Sequence, residues 1–130
     1  MLGVFAFGFA YLFKNSFMPY HAEAIGMQWE EVSYEMQRLI WTYMRAASGG
    51  WLALGLVFTF LQYKFNQNKE TWIPYLILAG GAIFAAISFH AAYGLKVTTP
   101  ANAPVLPVVG IFGILVIGFF FNLRYAKSAE

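Results

Sequence analysis

The sequence predicts an all-α protein, an integral membrane four-helix bundle with an amphipathic extension before its second helix. The composition is 60% hydrophobic and 20% aromatic, with only 11% charged residues, whereas soluble globular domains carry about 25% charged residues. The apolar residues form four stretches, and each approaches the ~20 residues that a helix needs to cross a ~30 Å hydrocarbon core. A chain of 130 residues is predicted to form one transmembrane domain.

The four predicted helices cover residues 2–18, 28–63, 72–95 and 105–123. The first is bounded by Pro19, because proline cannot continue a helix from the preceding residue.

The links between the predicted helices differ in kind. The acidic link after Pro19 is predicted to become helical at Gln28 and to run without a break into the second helix, which would raise that helix's first turns above the bilayer. The link at residues 64–70 is a short polar turn. The link at residues 96–103 is a loop, because Pro100 bars a helix there.

Basic residues near the helix ends predict the orientation, because they are enriched in cytoplasmic loops. With four crossings, the N-terminus lies on the side that carries Lys64, Lys69, Arg124 and Lys127, whereas the opposite loop carries Lys96. We therefore predict a multi-pass protein of a bacterial inner membrane with both termini in the cytoplasm. Two further basic residues at the opposite edge, Lys14 and Arg38, weigh against this orientation.

A polar stripe marks one face of the predicted second helix. Its members lie four, three, four and three residues apart, which places them on one helical face. They are Glu31, Glu35, Arg38, Thr42 and Arg45. Arg45 lies roughly ten residues, or about 15 Å, into the helix, where a charge costs ~2.5 kcal/mol or more unless it reaches water, a carboxylate or a carbonyl. Two interpretations are open: a vestibule for an anion, substrate or headgroup, and a structural ion pair with Glu35 or a nearby carbonyl.

The two histidines, His21 and His90, are candidate cofactor-binding residues. Both fall in the predicted outer half of the protein, and two histidines on facing helices could ligate a haem iron. The segment from Ala86 to His90 also resembles the small-residue-then-histidine spacing of bacterial light-harvesting helices, which implies a pigment ligand. The alternative is a hydrogen-bonded histidine inside the bundle. Lipid, haem and pigment are thus the cofactors left open.

Several function classes lack their sequence signatures. There is no cysteine and no aspartate, and no metalloprotease, nucleophile-elbow or P-loop motif. The net charge of +2 is small and unclustered, so nucleic acid is not predicted as a partner. The sequence favours a protein that is not an enzyme, but one alternative is a small membrane enzyme or carrier that handles an amphiphile through Arg45, Glu35 and His90.

Glycine and alanine recur at helical spacing in the last three predicted helices, where they predict surfaces for close helix packing. They include Ala46, Gly49, Gly50, Ala53, Gly80, Gly81, Ala85, Gly110 and Gly113. The leading functional hypothesis is therefore a non-catalytic accessory or interaction subunit of a larger membrane assembly. Its predicted partners are the lipid bilayer and other membrane protein subunits, or further copies of itself.

The chain also resembles a group of known proteins in its layout. A short first helix, an acidic amphipathic link, and Met44-Arg45 followed by Gly49-Gly50 are similar to small bacterial four-helix integral membrane proteins of unknown function, in the neighbourhood of DoxX-like proteins. The resemblance implies the bundle fold and carries over no catalytic residue.

Overall fold

The computed structural model describes residues 2–127. Within this range the chain is helical and contains no strand, which confirms the all-α class. The helices are α1 (Leu2–Phe13), α2 (Pro19–Ile25), α3 (Tyr34–Asn68), α4 (Trp72–Thr98) and α5 (Val105–Lys127), with a 3₁₀ turn at Trp29–Glu31.

Three of these helices, α3, α4 and α5, are long and apolar enough to cross a membrane. The first helix is different. It has 12 residues and is therefore about 18 Å long at 1.5 Å per residue, well below the ~30 Å of a hydrocarbon core. Among the described residues, three helices therefore have the length and composition of the predicted crossings, and the predicted count of four crossings is not confirmed.

The predicted end of the first helix at residue 18 is wrong, because α1 ends at Phe13. Its last backbone bond runs from the N–H of Lys14 to the carbonyl of Ala10. The polar pair Asn15-Ser16 follows, and such side chains compete with helical backbone bonds. Met18 is extended, with φ −71° and ψ 152°, as expected for a residue before proline.

The predicted continuous helix from Gln28 is also wrong, because α3 begins only at Tyr34. Val32 is extended, with φ −82° and ψ 136°, and its side chain is buried beside Phe17 and Met44. The side-chain amide of Gln37 donates to the carbonyls of Trp29 (2.7 Å) and Val32 (3.0 Å). These contacts satisfy backbone groups that a continuous helix would have paired, so tertiary burial decides the local structure here.

At their C-terminal ends the long helices extend beyond the predicted limits. The polar turn drawn at residues 64–70 is mostly helical, since α3 continues to Asn68. Phe65 is 0% exposed, and burial of its side chain stabilises the additional helical turn. Lys69 then ends the helix with φ +56°, a left-handed conformation that is uncommon outside glycine. Similarly, α4 reaches Thr98 and α5 reaches Lys127.

The chain divides into two compact units. Unit 1 contains residues 2–56 and 94–103, and unit 2 contains residues 57–93 and 104–127. Both boundaries fall inside helices, one in α3 and one in α4. The single predicted domain therefore stays a prediction.

In unit 1, α1 packs antiparallel against the first half of α3. A Cβ atom built on Gly8 would lie 2.7 Å from Leu52 Cδ2, and one built on Gly55 would lie 3.1 Å from the ring of Phe5. Real Cβ atoms keep a larger separation than the first of these distances, so Gly8 is the residue that allows the two helices to approach.

Unit 2 is a three-helix arrangement of the second half of α3 with α4 and α5. Gly80 of α4 faces Phe58 of α3, and Gly81 of α4 lies tightly against Leu115 of α5. Small residues in α4 therefore admit large side chains from both neighbours, as the glycine pattern predicted for this helix.

A reciprocal amide pair joins α3 to α5 within unit 2. The amide of Asn122 donates to Gln62 Oε1 at 2.9 Å, and the amide of Gln62 donates to Asn122 Oδ1 at 3.2 Å. Each side chain satisfies the other in an apolar setting, where a hydrogen bond between helices contributes about 0.6–2 kcal/mol.

Candidate functional site

Arg45 ties the end of α1 to α3 in unit 1. Its Nη1 donates hydrogen bonds to the carbonyl oxygens of Tyr11 (2.6 Å) and Lys14 (3.1 Å). Its guanidinium carbon lies 4.4 Å from the centre of the Trp41 ring, within the range of a cation–π interaction. The last carbonyls of a helix have no partner within the helix, and their partial negative charge favours a cation. Arg45 therefore caps the C-terminus of α1.

The stripe residues on α3 differ in their polar contacts. Among residues 2–127, the polar partners of Arg45 are the carbonyls of Tyr11 and Lys14. Glu35 is exposed in the first turn of α3. Arg38 is exposed, with its guanidinium carbon 5.2 Å from the Trp41 ring centre. Thr42 donates to the carbonyl of Arg38 at 2.8 Å. Four stripe residues thus lie on α3. Of these, Arg45 has polar contacts with another helix and its end.

The fifth stripe residue, Glu31, was placed on the wrong element. It lies in the 3₁₀ turn before α3, because the buried Val32 interrupts the helix that the spacing assumed. Its carboxylate accepts a hydrogen bond from the backbone N–H of Gln28 at 2.6 Å. Glu31 therefore caps its own turn and does not continue the stripe.

The two histidines belong to different units. His21 lies in α2 of unit 1, whereas His90 lies exposed on α4 in unit 2. Histidine ligation of haem or pigment stays a prediction for each of them.

His21 has a well-defined local environment. Its Nδ1 accepts a hydrogen bond from the backbone N–H of Met18 at 3.3 Å, and its ring meets the Tyr20 ring edge-on, with 4.4 Å between the ring centres. Burial lowers the pKa of His21 below its ordinary value, because desolvation disfavours the charged imidazolium. An accepting Nδ1 leaves the proton of the neutral ring on Nε2.

Two tyrosines link α1 to α2 beside this histidine. The hydroxyls of Tyr11 and Tyr20 are hydrogen-bonded to each other. Burial, and secondly this hydrogen bond to Tyr11, raise the pKa of Tyr20 far above its ordinary value. The Tyr20 hydroxyl is therefore uncharged at any physiological pH.

A cleft of about 400 Å³ opens beside these residues in unit 1. One wall comes from α1 and α2, with Tyr11, His21, Ala24 and Ile25. The other comes from α3 and the end of α4, with Ile40, Tyr43, Met44, Ala47 and Leu95.

The loop after α4 is anchored to α2 within unit 1. The Glu23 carboxylate accepts a hydrogen bond from the backbone N–H of Asn102 at 2.6 Å, and Ala101 and Ala103 are buried. This anchor holds the loop after Leu95 to the same helix that supplies one wall of the cleft. Sequence reasoning singled out His21 but missed the rest of the lining, because the lining comes from four separate helices and has no local pattern.

Ser48 is a polar residue without an assigned role. It is 0% exposed, and within residues 2–127 its hydroxyl has no hydrogen-bond partner. The same residues contain no group of three or more histidine, aspartate or glutamate side chains placed to hold a metal ion.

Over residues 2–127 the structure thus defines a helical protein with three helices that are long and apolar enough to span a membrane. Its first unit has a mostly apolar cleft. Comparison with protein-family models, curated proteins and solved structures finds no match for the chain. The resemblance to DoxX-like proteins therefore stays a prediction.

The cap on α1 predicts the effect of replacing Arg45. Arg45→Leu removes both charge-assisted hydrogen bonds and should lower the free energy of unfolding by on the order of 2–3 kcal/mol. Arg45→Lys keeps the charge but loses the planar donors and the stacking on Trp41, so it should restore part of the loss. Thermal unfolding of the purified protein in detergent measures both changes. Arg38→Leu is the matched control, because Arg38 is exposed, and an Arg45→Leu protein as stable as this control would contradict the cap.

The environment of His21 predicts a pH dependence. Its folded-state pKa is lowered, so as the pH falls below about 6.5 the unfolded chain binds a proton that the folded chain does not. Stability should therefore be complete above this pH and decrease below it. His21→Gln supplies an uncharged acceptor for Met18, as in a capping box, and should remove this contribution. Unfolding midpoints between pH 7.5 and 5 for the two proteins test this, and parallel curves would refute it.

Proposed function

We propose that the protein is a multi-pass membrane protein that serves as a non-catalytic accessory or interaction subunit of a larger membrane assembly. The observation that carries this proposal is the uncovered apolar surface of the long helices. In the most apolar 18-residue windows of α3 and α4, 22% of the residues are buried, and in that of α5 none are. An apolar surface of this extent is stable against lipid or against another apolar helix.

One face of α3 supports association with a further helix. Ala46, Gly49, Gly50 and Ala53 follow one another at helical spacing and are all exposed. No other part of the described chain comes within 4 Å of a Cβ built on Gly49 or Gly50. Small residues at this spacing allow another helix backbone to approach closely. We call these four residues the α3 small-residue face.

The residues of the catalytic alternative support the same proposal. Arg45 donates hydrogen bonds to the carbonyls of Tyr11 and Lys14, and Glu35 lies exposed at the start of α3. A vestibule with both side chains would require Arg45 to give up the contacts that hold α1.

For orientation, we propose a bacterial inner membrane with the C-terminus in the cytoplasm. The turn after α3 and the end of α5 lie on the same side when α4 and α5 both cross. That side carries Lys64, Lys69, Arg124 and Lys127. The N-terminus shares that side if α1 also crosses, which a helix of its length does only where the bilayer thins around it.

Substitution on the α3 small-residue face should disturb assembly and leave the fold intact. Gly49→Leu places a large side chain where the chain itself offers open space, so we expect an unchanged unfolding temperature and release of the partner. Gly94→Leu is the matched control, because Gly94 also faces open space but lies on α4. Native mass spectrometry of protein extracted from its own membranes measures the mass of the assembly.

Two outcomes would contradict the accessory role. The first is a wild-type protein that leaves its native membrane as a single chain. The second is a Gly49→Leu protein that retains the wild-type partner mass, since the α3 small-residue face would then lie against lipid.

The orientation predicts the result of reporter fusions. After α5, a reporter enzyme that works only in the cytoplasm should be active, because cytoplasmic segments are enriched in basic residues. In the loop at residues 99–103, a reporter enzyme that works only after export should be active. Opposite activities at both positions would reverse the proposed orientation.

A further inference from the structure

The cleft in unit 1 has the size of a small-molecule site. Its volume of about 400 Å³ falls within the ~300–1,000 Å³ of typical ligand pockets. A cleft of this size suits one small chain-like ligand.

The side chains around the cleft select an uncharged ligand. Among the described residues, no lysine, arginine, aspartate or glutamate lines it. A charged group that lay among these side chains would gain no ionic partner from them, which disfavours a charged ligand. Most of the wall is aliphatic, with Ile25, Ile40 and Ala47 among its members, and such a wall favours an apolar chain.

His21 supplies a polar contact of defined direction. Because Nδ1 accepts from the backbone of Met18, the neutral ring carries its proton on Nε2 and can donate one further hydrogen bond. The ring is fixed by this bond and by its edge-on contact with Tyr20. A ligand beside His21 is therefore expected to present an acceptor oxygen.

We propose that this cleft binds a single uncharged acyl ester of the monoacylglycerol type. The chain lies between Ile25 of α2 and Ile40 and Ala47 of α3, and the ester carbonyl accepts a hydrogen bond from His21 Nε2. An ester carbonyl on one chain also occurs in single-chain phospholipids, whose charged headgroup would have to remain outside the cleft. This site goes beyond the accessory role and does not depend on the α3 small-residue face.

The test uses the full chain in lipid nanodiscs and two probes with the same chain, 1-decanoylglycerol and 1-decanoyl-lysophosphatidylcholine. Native mass spectrometry counts the bound molecules during a titration. We expect one decanoylglycerol per chain with saturation. Equal affinity for the two probes would assign the site to the acyl ester of membrane lipids in general, and tighter binding of the phospholipid would overturn the uncharged ligand.

Variants locate the binding. Ala47→Leu and Ala24→Leu fill the cleft from different helices and should each weaken binding at least tenfold. Ala91→Leu, at an exposed position of α4 outside the cleft, should not change it. His21→Phe keeps an aromatic ring without the donor and should weaken binding about fivefold, which corresponds to the loss of one hydrogen bond. His21→Gln restores a donor and should recover part of the affinity.

The proposal is overturned if neither probe saturates the wild-type protein, or if the two filling variants unfold at the wild-type temperature and bind like wild type. Should one filling variant fail to fold, the other decides the result. Because the Gly49→Leu protein keeps its cleft, it should bind decanoylglycerol normally even when it no longer assembles. The two proposals can therefore fail separately.

Discussion

The contact between Arg45 and the end of α1 is the constraint on which the first unit depends. A guanidinium at this position of α3 must find acceptors, and the Tyr11 and Lys14 carbonyls provide them. The same contact satisfies helix-terminal carbonyls that would otherwise be unpaired in an apolar environment. Because α1 stops there, the chain turns and forms α2, and Phe17 packs with Val32 and Met44 into the small core of this unit. The cleft lies beside that core.

The sequence predicted the parts of the structure that depend on local composition. Long apolar runs predicted α3, α4 and α5. The cost of a charge inside a helix predicted that Arg45 would need water, a carboxylate or a carbonyl. The identity of that partner was not predictable, because Tyr11 lies 34 residues away in the chain. The Gln62–Asn122 pair spans 60 residues and was missed for the same reason. The break before α3 was missed because burial of Val32 overrides local helix propensity.

The two proposals place different functions on different surfaces of the same helix. The α3 small-residue face offers close approach to another helix, whereas Ile40 and Ala47 of α3 face the cleft. The hydrogen bond from Met18 to His21 Nδ1 has two effects. It holds the imidazole ring in place, and it leaves Nε2 as the nitrogen that donates to a ligand. A membrane subunit of this kind could hold a lipid at its surface while its exposed helices contact a partner.

Solid-state NMR can measure in a bilayer whether Arg45 caps α1. With ¹⁵N in the arginine side chains and ¹³C in the tyrosine carbonyls, dipolar recoupling reports the distance from Arg45 Nη to the Tyr11 carbonyl carbon. The N···O distance of 2.6 Å and a C=O bond of about 1.2 Å limit this distance to about 3.8 Å. With Arg45 bound to the end of α1, we expect strong dephasing that disappears in Arg45→Lys. A wild-type signal no stronger than that of the lysine variant would show that α1 is not capped by Arg45.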